Sequence, residues 1–188
     1  RRSLLAWLVS SMFSRDALNG LYGFGGVYAG TVLGWPVILS GIFGIVTAVS
    51  AAIISWLGGR ADRAWGPRPV IAACTLVLIA VCVLVVGMSR NQIFGLPLAP
   101  GSRLPDALFF ACGAAIGGAG GVLQSASRTM MVRHTSAARA TEAFGLYALS
   151  GKATAFLAPM LIALVTTVSG SPRLGISPLI VMFLLSLW

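Results

Sequence analysis

The chain has 188 residues, of which 57% are hydrophobic and 9% charged, where an ordinary soluble domain carries roughly 25% charged residues. So few charges cannot cover a globular core in water, and with a mean hydropathy of +0.94 the partner that fits this chain is membrane lipid. The net charge of +9 does not mark a nucleic-acid binder, because the basic residues fall singly or in short clusters between apolar runs instead of along one exposed stripe.

A helix needs about 20 mainly apolar residues to cross a hydrocarbon core of about 30 Å. The first such run extends from Leu4 to Leu33 and is interrupted by Arg15, Asp16 and Asn19. Arg1-Arg2 ahead of it resembles the start of a signal peptide, but the apolar run continues past the usual 7–15 residues, which makes it a spanning helix. A tight turn at Gly34-Trp35-Pro36 leads to a second helix over Val37–Leu57. A polar loop, Gly58–Arg68, separates it from a third helix over Pro69–Met88. After the proline-rich segment Ser89–Pro105, the fourth helix is expected over Ala107–Ser127, followed by a basic loop, Arg128–Thr141. A fifth runs over Glu142–Val168, and the last run, Ile176–Trp188, is too short to span. The expectation is an all-α integral membrane protein with six transmembrane helices, the sixth truncated. A chain that lacks an initiating methionine and stops within a helix reads as a fragment of a longer protein.

Orientation follows from the charges, since cytoplasmic loops attract Lys and Arg. With the amino end inside, the inner segments hold Arg1, Arg2, Arg60, Arg63, Arg68, Arg128, Arg133 and Arg139, eight in all, against three outside: Arg90, Arg103 and Arg173. That asymmetry sets the N-terminus in the cytoplasm.

No cofactor or metal is expected. Cys74, Cys82 and Cys112 each lie within an apolar run, none forms a CxxC, and the single histidine, His134, lies in a loop. A zinc site wants about four N, S or O ligands at motif spacing. The same poverty argues against a membrane-embedded enzyme, which would need a His-Glu metal motif or a serine with its base.

The polar residues inside the helices carry the information. Asp16 lies about 12 residues into the first helix, roughly 18 Å at 1.5 Å per residue. Facing lipid it would cost at least about 2.5–3.5 kcal/mol, so it should face the bundle interior or a wet cavity. Lys152 on the fifth helix lies at about 15 Å by the same rise. The two are expected to share an interior polar site with Arg15, Asn19 and Gln124, directly or through a small-molecule solute; the competing reading has Lys152 snorkelling to the interface. Two glycine rows at four-residue spacing, Gly26-Gly30-Gly34 and Gly113-Gly117-Gly121, are read as faces along which helices pack closely.

The loop Gly58-Gly-Arg-Ala-Asp62-Arg63-Ala-Trp-Gly66-Pro-Arg68 resembles the signature loop of the major facilitator superfamily, Gly-x-x-x-Asp-Arg-x-Gly-Arg-Lys. Gly58, Asp62 and Arg63 match; Gly66 matches after one extra residue, and Pro67-Arg68 replaces the final basic pair. The resemblance implies a cytoplasmic latch that biases a conformational equilibrium. The stretches Gln124-Ser-Ala-Ser-Arg128 and Glu142-Ala-Phe-Gly-Leu-Tyr147-Ala-Leu-Ser-Gly-Lys152, ending Ala158-Pro159, are similar to the vacuole-effluxer-like branch of that superfamily. Arg15-Asp16-Ala17 is similar to the branch's Asn-Asp-Gly element, with Arg in place of Asn and Ala in place of Gly.

On this resemblance the chain corresponds to the C-terminal six-helix half of a twelve-helix transporter built from 3+3 inverted repeats, lacking its N-terminal half. The first and fourth helices would then line the central cavity. The implied function is secondary active transport of a small solute by alternating access, with amino-acid or other metabolite efflux as the branch's association. The implied setting is the plasma membrane (the inner membrane in a bacterium), and proton or ion coupling would rest on Asp16 and Glu142. The alternative from another class is a polytopic membrane scaffold or receptor that transports nothing.

Overall fold

The computed structural model describes residues 2–136 and 139–187; Arg1, Trp188 and part of the expected basic loop lie outside them. Helix α1 spans Arg2–Thr31, α2 Val37–Trp65 and α3 Pro67–Gly87. A two-stranded antiparallel ribbon follows, β1 (Gln92–Ile93) against β2 (Leu96–Pro97), with Gln92 opposite Pro97 and Ile93 opposite Leu96. Then come α4 (Leu104–Arg133), α5 (Ala140–Ala153) and α6 (Leu157–Ser169). A 3-10 turn at Leu174–Ile176 leads into α7, Ser177–Ser186.

With α5 and α6 as one interrupted rod, the architecture is all-α with six helical rods. Among the described residues four are long and apolar enough to cross a membrane: α2, α3, α4 and the α5–α6 pair. Helix α1 has the length, 30 residues, but Ser10, Ser11, Ser14, Arg15, Asp16 and Asn19 lower its hydropathy. Lipid is the solvent these surfaces need. Ile45, Val49 and Ile53 of α2 stand 65%, 52% and 57% exposed, an apolar face no single soluble domain would leave open.

Three boundaries differ from the sequence expectation. The segment Gly58–Arg68 is not a loop, because α2 continues through Trp65 and α3 begins at Pro67. The two helices are joined through Gly66 alone, at φ 86° and ψ 166°, a conformation that only glycine takes without strain. Pro67 then opens α3 at a position whose N–H would have no helical partner. Likewise α4 runs past Ser127 to Arg133, so the first part of the expected basic loop, Arg128–Arg133, is helix. Basic side chains near a helix C-terminus suit its partial negative charge, which favours extending both helices. The fifth helix, in contrast, is broken at residues 154–156. Pro159 supplies the reason, since its ring would collide with the carbonyl of residue 155 in a continuous helix.

Helix α4 is the centre of the bundle, flanked by α2 and α3, while α7 packs on α1 and α3. The close fit of α2 on α4 comes from missing side chains. A methyl group at Gly117 would stand 2.9 Å from the Thr47 carbonyl carbon. Gly113 gives way to the Phe43 ring and Gly121 to the Ser55 hydroxyl, while across the seam Gly58 lies against Val122. At the end where α4 begins, an aromatic cluster closes the bundle: Trp35 is edge-on to Phe109 at 5.4 Å and stacked on Phe110 at 4.9 Å. Its indole N–H donates to Asp106 Oδ1 at 2.6 Å, and Arg90 donates to the same oxygen at 2.5 Å.

Candidate functional site

Arg15 leaves α1 partway along its length and reaches across to α5. Its Nη2 donates to the Tyr147 carbonyl at 2.7 Å and to Ser150 Oγ at 2.8 Å, and its Nε donates to the Ser11 carbonyl at 3.3 Å. The guanidinium lies 3.8 Å above the centre of the Tyr147 ring, a cation–π geometry. Gly151 makes the room: a methyl group there would fall 2.7 Å from Arg15 Cζ. Nη1 makes no hydrogen bond among the described residues.

That arrangement forms one wall of a cavity of about 190 Å³ lined by Arg15, Leu18, Asn19, Gln124, Arg128 and Tyr147. Three residues expected at a common site from sequence, Arg15, Asn19 and Gln124, therefore do meet, on α1 and α4. Arg128 and Tyr147 join them, with Ser150 and Gly151 behind. These four belong to the sequence patterns quoted above, but nothing in their spacing reveals that they converge on Arg15. Counting 1.5 Å per residue from the start of α5 and the end of α4, Tyr147 and Gln124 lie roughly 10 and 14 Å inside the helical rods. Polar groups at such depth belong to an interior site or a wet pathway.

Asp16 does something else. It is 1% exposed, and its Oδ2 accepts a hydrogen bond from the Ala158 N–H at 3.1 Å. Ala158 is the second residue of α6, so a carboxylate from α1 caps the second half of the broken helix, where the peptide dipoles favour negative charge. Beside it Gly20 lets α1 approach Ala158 Cβ to 2.8 Å from where its own methyl would be. The other oxygen, Oδ1, is buried without a partner. The expected meeting of Asp16 with Lys152 does not occur. Lys152 is exposed in the last turn of α5, where its charge suits the carbonyl end of the helix.

The other sequence candidates fall elsewhere. Asp62 sits in the last turn and a half of α2 with Oδ1 buried and unpartnered, Arg63 is exposed, and Gly66 is the joint between helices. Arg68 lines a second cavity, of about 380 Å³, with Trp7, Ser10, Met130 and His134. Of the glycine rows, the one on α4 is buried against α2, whereas added methyl groups at Gly26, Gly30 and Gly34 would meet nothing. The close-packing expectation for the α1 row is therefore not met within this chain. Gly34, at φ +68°, ends α1 in the left-handed conformation.

Over residues 1–188 the chain matches the family described as Vacuole effluxer Atg22 like. The chain belongs to the Atg22-like vacuole effluxer family. This agrees with the resemblance carried by the Gln124–Arg128 and Glu142–Lys152 patterns. No curated protein matches the chain. An Atg22-like effluxer is a multi-pass membrane protein of the major facilitator type, and its family is one of transporters rather than enzymes.

Proposed function

We propose that this Atg22-like chain is the C-terminal six-helix half of a secondary transporter that moves a small solute by alternating access, in the direction of efflux. One observation carries the reading. Arg15, Asn19, Gln124 and Arg128 line one cavity between α1, α4 and α5, and the α4 and α5–α6 rods are apolar enough to cross a membrane. Desolvating such groups at that depth is costly, and a solute pathway is the usual reason for it. The Gly66 joint and the neighbouring Asp62 act in this reading as the latch between conformations, with the amino end of α1 in the cytoplasm of a cell whose plasma membrane holds the protein. Asp16, with its free Oδ1, and the exposed Glu142 are the carboxyls through which a coupling proton or cation would act.

Flux in liposomes containing the full-length protein tests this. Wild-type protein should move at least one solute from a metabolite panel faster than empty liposomes, and Arg15→Gln should lower that flux about tenfold or more, the loss of a charged hydrogen-bond donor. Equal flux in wild-type and empty liposomes across the panel would leave the non-transporting scaffold in its place.

A further inference from the structure

The sign of the charge in the cavity says more than its polarity. Its lining holds two arginines, Arg15 and Arg128, two neutral amides, Asn19 and Gln124, and no carboxylate. The chain has four acidic residues, and none of them lines the cavity. Asp16 turns to the Ala158 N–H, and Asp106 pairs with Arg90 at the far end of α4. Asp62 lies on α2, and Glu142 is exposed in the first turn of α5. The Arg90–Asp106 contact is the only ion pair among the described residues.

Two guanidinium groups on one cavity, the half-buried Arg15 and the exposed Arg128, with no carboxylate beside them among the described residues, form half of a charge-assisted contact. Arg15 is pre-oriented by Tyr147, Ser150 and Ser11 and keeps Nη1 unbonded, so one edge of its planar fork is held ready for a ligand oxygen. The amides of Asn19 and Gln124 can donate to the same group without adding charge. A volume of about 190 Å³ is less than the several hundred of a drug-sized site, which fits one oxyanion and the first atoms behind it.

We propose, resting on the transport reading above, that this cavity is an oxyanion site and that the solute is a net anion. Arg15 and Arg128 hold its carboxylate or phosphate group. The lining offers no acid for an ammonium group, so dicarboxylates, acidic amino acids and phosphate-bearing metabolites are favoured over neutral or cationic ones.

The test uses full-length protein in phosphatidylcholine nanodiscs, with succinate, inorganic phosphate and lysine as probes. Succinate or phosphate should bind saturably and lysine should not. Arg128→Gln, at an exposed position where folding is not at stake, and Arg15→Gln should each weaken anion binding about tenfold or more. Arg128→Lys, which keeps the charge and loses the fork, should fall between. Absence of binding by both anions, or affinities unchanged in both glutamine variants, overturns the proposal. Displacement of both anions by phosphatidylglycerol in the disc would assign the site to a lipid headgroup and overturn the solute assignment. Parallel flux assays separate the two readings. Anion binding without flux keeps the site and sinks transport, whereas lysine or leucine flux without anion binding keeps transport and sinks the site.

Discussion

Two rows of glycine with the same spacing have opposite fates in this molecule. Gly113, Gly117 and Gly121 are pressed against α2, while Gly26 and Gly30 on α1 face open space. The first row draws two backbones together and builds the rigid centre of the half. The second lies on an exposed stripe with Asn19, Tyr22 and Gly23, running away from the polar cavity. A glycine row states that something can approach closely. Whether anything does depends on what the opposite surface offers.

The sharpest way to break the comparison is Gly117→Leu. Its Cβ alone would press on the Thr47 carbonyl group, which is backbone and cannot rotate away. Overpacking of this kind costs about 1–3 kcal/mol even where side chains can yield, so the upper end is expected here. Thermal unfolding read by a thiol-reactive dye should show a clear drop in midpoint, because Cys82 and Cys112 are buried and become reactive only on opening. An unchanged midpoint would mean that α2 and α4 do not pack along this seam.

A smaller effect is expected at the join between the seam's neighbour α1 and the broken fifth span. Asp16→Ala removes the acceptor for the Ala158 N–H, and loss of a helix cap costs about 0.5–2 kcal/mol. Asp16→Asn keeps an acceptor oxygen and should lose less. If Asp16 served transport alone, both variants would melt like the wild type and lose flux. Stability loss graded from Asn to Ala identifies the cap.

Much of the fold was legible because apolar runs and turn residues are strong signals: the helical rods and the Gly34-Trp35-Pro36 turn stand close to where the sequence puts them. The helix ends at Trp65 and Arg133 were not, since a polar basic stretch suits a loop and a helix terminus alike. The break at 154–156 was not legible either, because Pro159 lies within an apolar run whose composition suits one continuous helix. At the site, depth along a helix was legible and direction around it was not. Neighbouring residues point about 100° apart, so Arg15 turns to α5 while Asp16 turns to α6. Lys152 is five residues beyond Tyr147, about 140° further round by the same geometry, and so leaves the cavity that Tyr147 lines.

The smallest structural effect should come from Gly30→Ala and Gly26→Ala. Neither methyl meets an atom of this chain, and alanine in a helix interior is favoured over glycine by about 0.5–1 kcal/mol. The melting midpoint should hold or rise slightly. Gly34→Ala is the internal contrast in the same row, because φ +68° strains any residue with a Cβ. Leucine at position 30 then separates a lipid-facing stripe from one that closes against another surface during transport. Against lipid, Gly30→Leu should leave both melting and flux intact. Against a second helical half, in the alternating-access reading, it should slow flux with the midpoint unchanged. Asn19 on the same stripe favours the second outcome, since an amide facing hydrocarbon would have no partner for its N–H groups.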